Sequence, residues 1–225
     1  MKLYMHPVSM TSRPVRLLIA ENGLDVEEQV VDILVGEHLK PPYALLNPNK
    51  LVPTLVEDDG FRLTESSAIL KYLAGKFQLP SYPTALRPRA KVDEMMDWFN
   101  TQFYRDFGYG LAYPQLFPNH KRPTDDLQQG TISWGKNLAK GWFQILNDYW
   151  LGPEKQYLCG DQITIADYFG SCLATLGEVI RCDFSTYPNV ERWLGNMKRL
   201  KTWNRTNEAL YGFINAVKGQ PFIAL

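Results

Sequence analysis

The first eighty residues alternate between two hydrophobic periods. Lys2–His6 is a short mixed run that reads as a strand. From about Ser12 to Leu24, Val15, Leu18, Ile19 and Ala20 recur at helical spacing, and Gly23 sits where a helix stops. Glu28–Ile33 carries Val30, Val31 and Ile33, all β-branched, and predicts a second strand. A loop with Gly36 and His38 leads to a short helical stretch around Pro42–Leu46. Thr54–Val56 predicts a third strand, Asp58-Asp59-Gly60 a hairpin turn, and Phe61–Thr64 the return strand. Ser66–Phe77 goes back to the helical period, with Ile69, Leu70, Tyr72, Leu73 and Phe77 on its apolar side. The predicted order is β-α-β-α-β-β-α.

Gln78–Pro88 contains Pro80, Pro83 and Pro88 and reads as a linker. Only the helical period remains after it. One segment runs from Arg89 to about Tyr113. Thr124-Asp125-Asp126 opens the next with a cap and two acids, and it continues to Trp150. Thr164–Cys182 is a third, Pro188 opens a fourth at its first turn, and Thr202–Val217 is a fifth. No strand pattern or repeat interrupts this half. The predicted organisation is an α/β domain over residues 1–79, a linker over 80–86 and an all-helical domain over 87–225.

Composition narrows the function classes. The 225 residues carry 24 Lys+Arg and 24 Asp+Glu, so the net charge is zero. Nucleic acid as the main partner would need a positive excess and is not expected. A small basic patch for one anionic ligand remains compatible with that balance. No apolar run approaches the ~18 residues that span a bilayer, and MKLYMHPVSM lacks the apolar core of a secretory signal, so no membrane partner is expected and the prediction is a cytoplasmic protein. Cys159, Cys172 and Cys182 are odd in number and form no C-x-x-C, so they read as buried small hydrophobes. No metal is expected.

Three short stretches carry candidate chemistry. In Leu51-Val52-Pro53-Thr54, a cis Val52–Pro53 bond would turn the Val52 N–H and C=O outward, ready to pair with an extended peptide; a trans proline at a strand entrance is the other reading. Ser66 stands at a helix N-terminus, where free N–H groups and the dipole bind a carboxylate, and Glu65 beside it can accept from an ammonium. Together they suit an amino-acid head group, although Ser66 could equally be a plain helix cap. In the turn Pro7-Val8-Ser9-Met10-Thr11-Ser12-Arg13-Pro14, the Ser12 hydroxyl at the helix start either caps the helix or donates to a thiolate and lowers that thiol's pKa. His38 and Lys50 lie in loops, either as contacts to a second carboxylate or as solvated charges.

Placed on one βαβαββα frame, these signals resemble the cytosolic glutathione transferases, most closely the theta and delta classes and bacterial dichloromethane-dehalogenase-like members. The resemblance spans essentially the whole chain. It is carried by Ser12-x-Pro14-x-Arg16, Asn47-Pro48-x-x-x-Val52-Pro53 and Glu65-Ser66-x-Ala68-Ile69-Leu70. In the second half, Leu158-x-Gly160-Asp161-x-Ile163-Thr164-Ile165-Ala166-Asp167 is similar to the family's folding box. There Thr164 and Asp167 are spaced as a capping box, with Ile163 and Tyr168 placed as a hydrophobic staple, a structural rather than catalytic device.

The resemblance implies a thioredoxin-like N-terminal domain that holds glutathione and an all-helical C-terminal domain that carries the electrophile site and dimer contacts. It implies a homodimer. It implies a glutathione thiolate attacking a small hydrophobic electrophile, with disulfide or peroxide reduction, or a non-catalytic binding role, as alternatives. By the register of Pro14 and Arg16 the sulfur contact falls on Ser12; Ser9, which matches the zeta-like pattern, is its rival. Val52, with Pro53 cis, would pair with the cysteinyl unit, Glu65 and Ser66 would hold the γ-glutamyl group, and Lys50 and His38 would meet the glycine carboxylate. Phe103, Phe107, Tyr109 and Tyr113, with Tyr104, are candidates for the electrophile's wall, and Phe222 for a cover. Where the family often carries an acid facing the partner's glutathione, this chain has Asn100 and Thr101, with Asp97 a turn earlier.

Overall fold

A computed structural model describes all 225 residues. The expected first-half order is observed. Strand β1 is Lys2–Met5, β2 Glu27–Val30, β3 Thr54–Val56 and β4 Arg62–Leu63. They form one sheet in the order β2-β1-β3-β4, with β1 parallel to β2 and antiparallel to β3. Helix α1 is Ser12–Asn22, α2 Tyr43–Leu46 and α3 Ser66–Lys76. Leu3 and Leu55 are paired across the sheet and fully buried, as are Val15, Leu17 and Leu18 of α1 and Ile69, Leu70 and Leu73 of α3. This shared apolar face binds helix to sheet. Gly23 ends α1 at φ +60°, in the left-handed region, and passes the chain to β2. Strand β2 stops at Val30, three residues before the expected end, because its parallel partner β1 runs out at Met5. Asp32 then turns the chain by accepting the Leu34 N–H at 2.9 Å.

The second half is helical throughout. Helix α4, Leu86–Trp98, runs without a break into a wider π-helical stretch, Phe99–Ala112, and a last turn, α5, Tyr113–Leu116. Helix α6, Asp125–Ile145, likewise continues through a π-helical turn, Leu146–Leu151. The two rods touch backbone to backbone where Gly135 meets Gly110: a Cβ added at Gly135 would lie 2.3 Å from the Gly110 carbonyl carbon. Helix α7 is Ile165–Ala174, α8 Leu176–Val179, α9 Pro188–Lys198 and α10 Trp203–Val217. The expected single helix to Cys182 is interrupted at Thr175, whose hydroxyl bonds back to the Cys172 carbonyl at 2.9 Å. No helix is long and apolar enough to cross a membrane. Of the three cysteines only Cys172 is buried; Cys182 is half-buried and Cys159 lies exposed in the loop before the capping box, which corrects the expectation that all three pack inside.

The capping box does more than begin α7. Asp167 is fully buried, and its Oδ2 accepts the Thr164 N–H at 2.8 Å and the Thr164 hydroxyl at 2.9 Å. Its Oδ1 accepts the Leu158 N–H at 2.8 Å and Trp193 Nε1–H of α9 at 2.9 Å. Burial pushes its pKa up, and these four donors oppose that shift. One carboxylate thus joins the preceding loop, the start of α7 and α9. Asp167→Ala strands all four donors in the core and is expected to cost about 3–5 kcal/mol in urea unfolding, against about 1 kcal/mol for Thr164→Ala. Similar losses for the two variants would contradict the four-donor role.

Candidate functional site

The two halves meet along a cleft built around the turn between β1 and α1. The neighbouring loop, residues 47–53, is pinned from beneath. Asn47 Nδ2 donates to the Leu51 carbonyl at 2.8 Å and to Thr54 Oγ1 at 3.0 Å, and the Tyr43 hydroxyl also reaches the Leu51 carbonyl. The Val52–Pro53 peptide is cis. The Val52 N–H has no partner in the chain, while the Val52 carbonyl accepts the Thr11 hydroxyl at 2.9 Å. A carbonyl has a second lone pair, so Val52 still offers both a donor and an acceptor to an extended ligand.

Two cavities open along this loop and share Thr11, Leu51, Val52, Tyr104 and Tyr109. The more polar one, about 220 Å³, is lined by Asn47, Asn49, Thr64, Glu65, Ser66 and Asn100. Its end is the N-terminus of α3. The first backbone bond of that helix is from the Ile69 N–H to the Glu65 carbonyl, which leaves the first-turn N–H groups without a backbone partner, a setting that suits an anion. Glu65 sits at φ +62° and ψ 112°, a backbone setting that costs a non-glycine residue about 1–3 kcal/mol. The fold thus carries strain at the residue that opens α3. Asn100 Nδ2 donates to Ser67 Oγ at 3.1 Å, so a side chain of the helical half reaches the same helix start.

The second cavity, about 210 Å³, is lined by Ser9, Met10, His38, Lys50, Tyr113, Phe117, His120 and Phe213 among others. The two candidate serines separate here. Ser12 is fully buried, lines neither cavity, and its Oγ accepts the His6 N–H at 3.4 Å. Ser9 lines the cavity. Its Oγ accepts the Ser12 N–H at 3.2 Å and lies 3.1 Å from Thr11 Oγ1. Because Thr11 donates its own proton to Val52, the Ser9 proton is the one left to point at Thr11 or at a ligand. The register of Pro14 and Arg16 favours Ser12, with Ser9 as its rival; of these two serines, Ser9 is the one that lines the cleft.

The aromatic wall also divides. Phe103 and Phe107 are fully buried and pack edge-on against Phe143 of α6, each at 4.9 Å between ring centroids for Phe143. They belong to the core, not the pocket, which corrects that part of the expected wall. Tyr104, Tyr109 and Tyr113 do line the cleft, and the Tyr104 and Tyr113 hydroxyls bond to each other. Burial raises all three phenol pKa values. His120 packs edge-on to Tyr109 and tilted against Tyr113, at 5.4 and 5.2 Å between ring centroids, and was missed by sequence reasoning, as were Thr11, Asn119 and Phe213. Phe117 was signalled by the four-residue spacing of Tyr109, Tyr113 and Phe117, continued past the expected helix end. Phe222 packs under the Arg181 guanidinium at 5.3 Å and lines neither cavity.

His38 Nδ1 is buried without a partner, and desolvation lowers the pKa of both His38 and His120. The folded chain therefore binds these protons less readily than the unfolded chain, so their contribution to stability is intact above about pH 6.5 and lost as pH falls below it. In proton NMR titrations, both imidazoles are expected to titrate below about 6.5. A midpoint above that value for either one would contradict its buried setting.

Comparisons with known proteins show the family and the fold. The family model for the glutathione S-transferase N-terminal domain matches residues 3–81, and that for the C-terminal domain matches residues 142–201. Glutathione S-transferase theta-1 of Mus musculus is 34% identical over 172 residues, covering 74% of this chain and 69% of the relative. A human theta-class glutathione transferase, solved in complex with the glutathione conjugate of 1-menaphthyl sulfate, superposes with a TM-score of 0.85 at 28% identity, covering 98% of this chain and 92% of that one. A delta-class glutathione transferase of Nilaparvata lugens superposes with a TM-score of 0.77 at 28% identity, over 96% and 98% of the two chains.

Proposed function

The chain belongs to the glutathione S-transferase family, and on that premise we propose that it ionises glutathione against Ser9 and transfers the thiolate to a small apolar electrophile. The observation that carries this reading is the pair of cavities joined at Val52, one polar and ending at a helix N-terminus, the other aromatic. Glutathione has the matching layout. Its γ-glutamyl ammonium and carboxylate suit Glu65 and the start of α3 at Ser66. Its cysteinyl unit suits the two backbone groups of Val52 beside cis Pro53. Its glycine carboxylate suits Lys50 and the unpartnered His38. The sulfur then falls beside the β1–α1 turn.

There the Ser9 hydroxyl is the donor. Accepting the Ser12 N–H polarises it, and the positive end of α1 adds to the same potential. A free thiol with a pKa near 8.5 is only a few per cent ionised at neutral pH. Lowering it by about two units is worth roughly 2.7 kcal/mol, within reach of one charge-assisted hydrogen bond and a helix terminus. The thiol proton leaves to solvent. The sulfur lone pair then forms a bond to an electrophilic carbon, and the leaving group departs with its electron pair. Tyr109, Tyr113 and Phe117 form the wall against which that apolar substrate packs. The family resemblance further implies a homodimer.

Ultraviolet absorbance of the thiolate measures the pKa of bound glutathione directly. Ser9→Ala is expected to return that pKa toward the value of the free thiol and to lower kcat/KM with 1-chloro-2,4-dinitrobenzene at pH 7 by about 10²-fold. Ser12→Ala is expected to leave the pKa where it is. The opposite pattern would return the role to Ser12. Turnover of hydroxyethyl disulfide or cumene hydroperoxide with none of the chloroarene would replace transfer by reduction.

A further inference from the structure

Arg13, the second residue of α1, is fully buried. Its Nη1 donates to Asn207 Oδ1 at 2.6 Å. Its Nη2 donates to the Cys172 carbonyl at 2.6 Å and Thr175 Oγ1 at 3.0 Å, and lies 2.9 Å from Met10 Sδ. Nε has no partner at all. Every partner is neutral, and Arg13 takes part in no ion pair. Glu178 of α8 is the acid whose charge reaches it, and Glu178 is already held by Lys198 at 2.9 Å. A guanidinium does not give up its proton in a protein, so a unit of positive charge stands inside the molecule without a counter-ion. Such a charge is costly to bury and calls for an anion nearby.

The place where an anion can come is the cleft. Met10, which Nη2 touches, lines its wall, and the Arg13 backbone N–H donates to the Ser9 carbonyl at 3.0 Å. We propose that Arg13 is a positioning residue for the transfer reaction, whose uncompensated charge acts through the cleft wall on the thiolate of bound glutathione and sets part of that thiol's acidity. The proposal rests on the reading that the sulfur sits beside Ser9. The other groups facing Arg13 do not supply the missing charge. Burial raises the Cys172 thiol and the Tyr113 phenol, so both stay protonated at neutral pH, and Tyr211 is a phenol. Of the groups facing the cleft, His38 and His120 are held neutral by burial, while Lys50 and Glu65 are exposed and screened by water.

The test separates the charge of Arg13 from its packing. Asn207→Asp brings a carboxylate of nearly the same shape to the guanidinium without removing it. Bound glutathione is titrated by thiolate absorbance, and S-methylglutathione, which cannot ionise, serves as a binding control. Asn207→Asp is expected to lower the thiolate population near pH 7 about tenfold, as loss of one unit charge two side chains away does at an effective dielectric of about 20, with S-methylglutathione affinity unchanged. Arg13→Lys, which keeps the charge, is expected to stay within about threefold of wild type even where its melting temperature falls. If Asn207→Asp does not fold, Thr175→Asp presents a carboxylate from the other side, with the same loss expected. A folded carboxylate variant in which glutathione ionises as in wild type overturns the proposal. A wild-type protein whose bound glutathione titrates like the free thiol overturns the Ser9 reading as well, so the two failures are distinct.

Discussion

The hydrogen bond from the Thr11 hydroxyl to the Val52 carbonyl is the constraint on which the site depends. It joins the turn that follows the first strand to the loop that precedes the third. These segments are 41 residues apart in sequence, and only the antiparallel pairing of β1 with β3 brings them together. Asn47 and Tyr43 hold the same loop from beneath. With both turns fixed, one end of the sheet's central strands presents a peptide-like donor and acceptor, a serine hydroxyl and, one cavity away, a helix N-terminus. A mobile loop would have to be ordered when ligand binds; this one is ordered by its own side chains.

The helical half acts mainly through what it brings up to that end of the sheet. Its own integrity rests on Asp167 and on a large aromatic core in which Phe99, Phe103, Phe107 and Phe143 are fully buried. The rod that faces the first half is π-helical from Phe99 to Ala112, and that wider turn explains how it serves two faces. Phe103 and Phe107 point to α6, while Tyr104 and Tyr109, five apart, share the cleft. Arg13 ties the halves together from below, with Asn207 on α10 and Cys172 on α7 as its partners.

Much of this was legible in the sequence because the signals were local. The alternation of strand and helix periods, the Gly23 stop, the Thr164–Asp167 spacing and the Glu65-Ser66 helix start depend on neighbours within a few residues, and the structure shows each of them. The aromatic stripe was legible only as a stripe: a helical period cannot tell a core-facing side from a cleft-facing one, and an undetected π stretch shifts the faces by a residue. The serine was ambiguous for another reason. Pro14 and Arg16 mark where the helix runs, but whether Ser9 or Ser12 is exposed depends on how the turn folds against Val52 and His6, contacts that no spacing encodes. Thr11, His120 and Phe213 reach the site through tertiary packing alone.

The central claim is that glutathione lies along Val52 with its sulfur against Ser9. The most direct measurement is a crystal structure of the protein with glutathione bound. The account predicts the γ-glutamyl carboxylate at the first turn of α3, the cysteinyl backbone paired with Val52, and the sulfur within hydrogen-bond distance of Ser9 Oγ while Ser12 stays buried. A sulfur in contact with Ser12, or glutathione bound away from Val52, would contradict it.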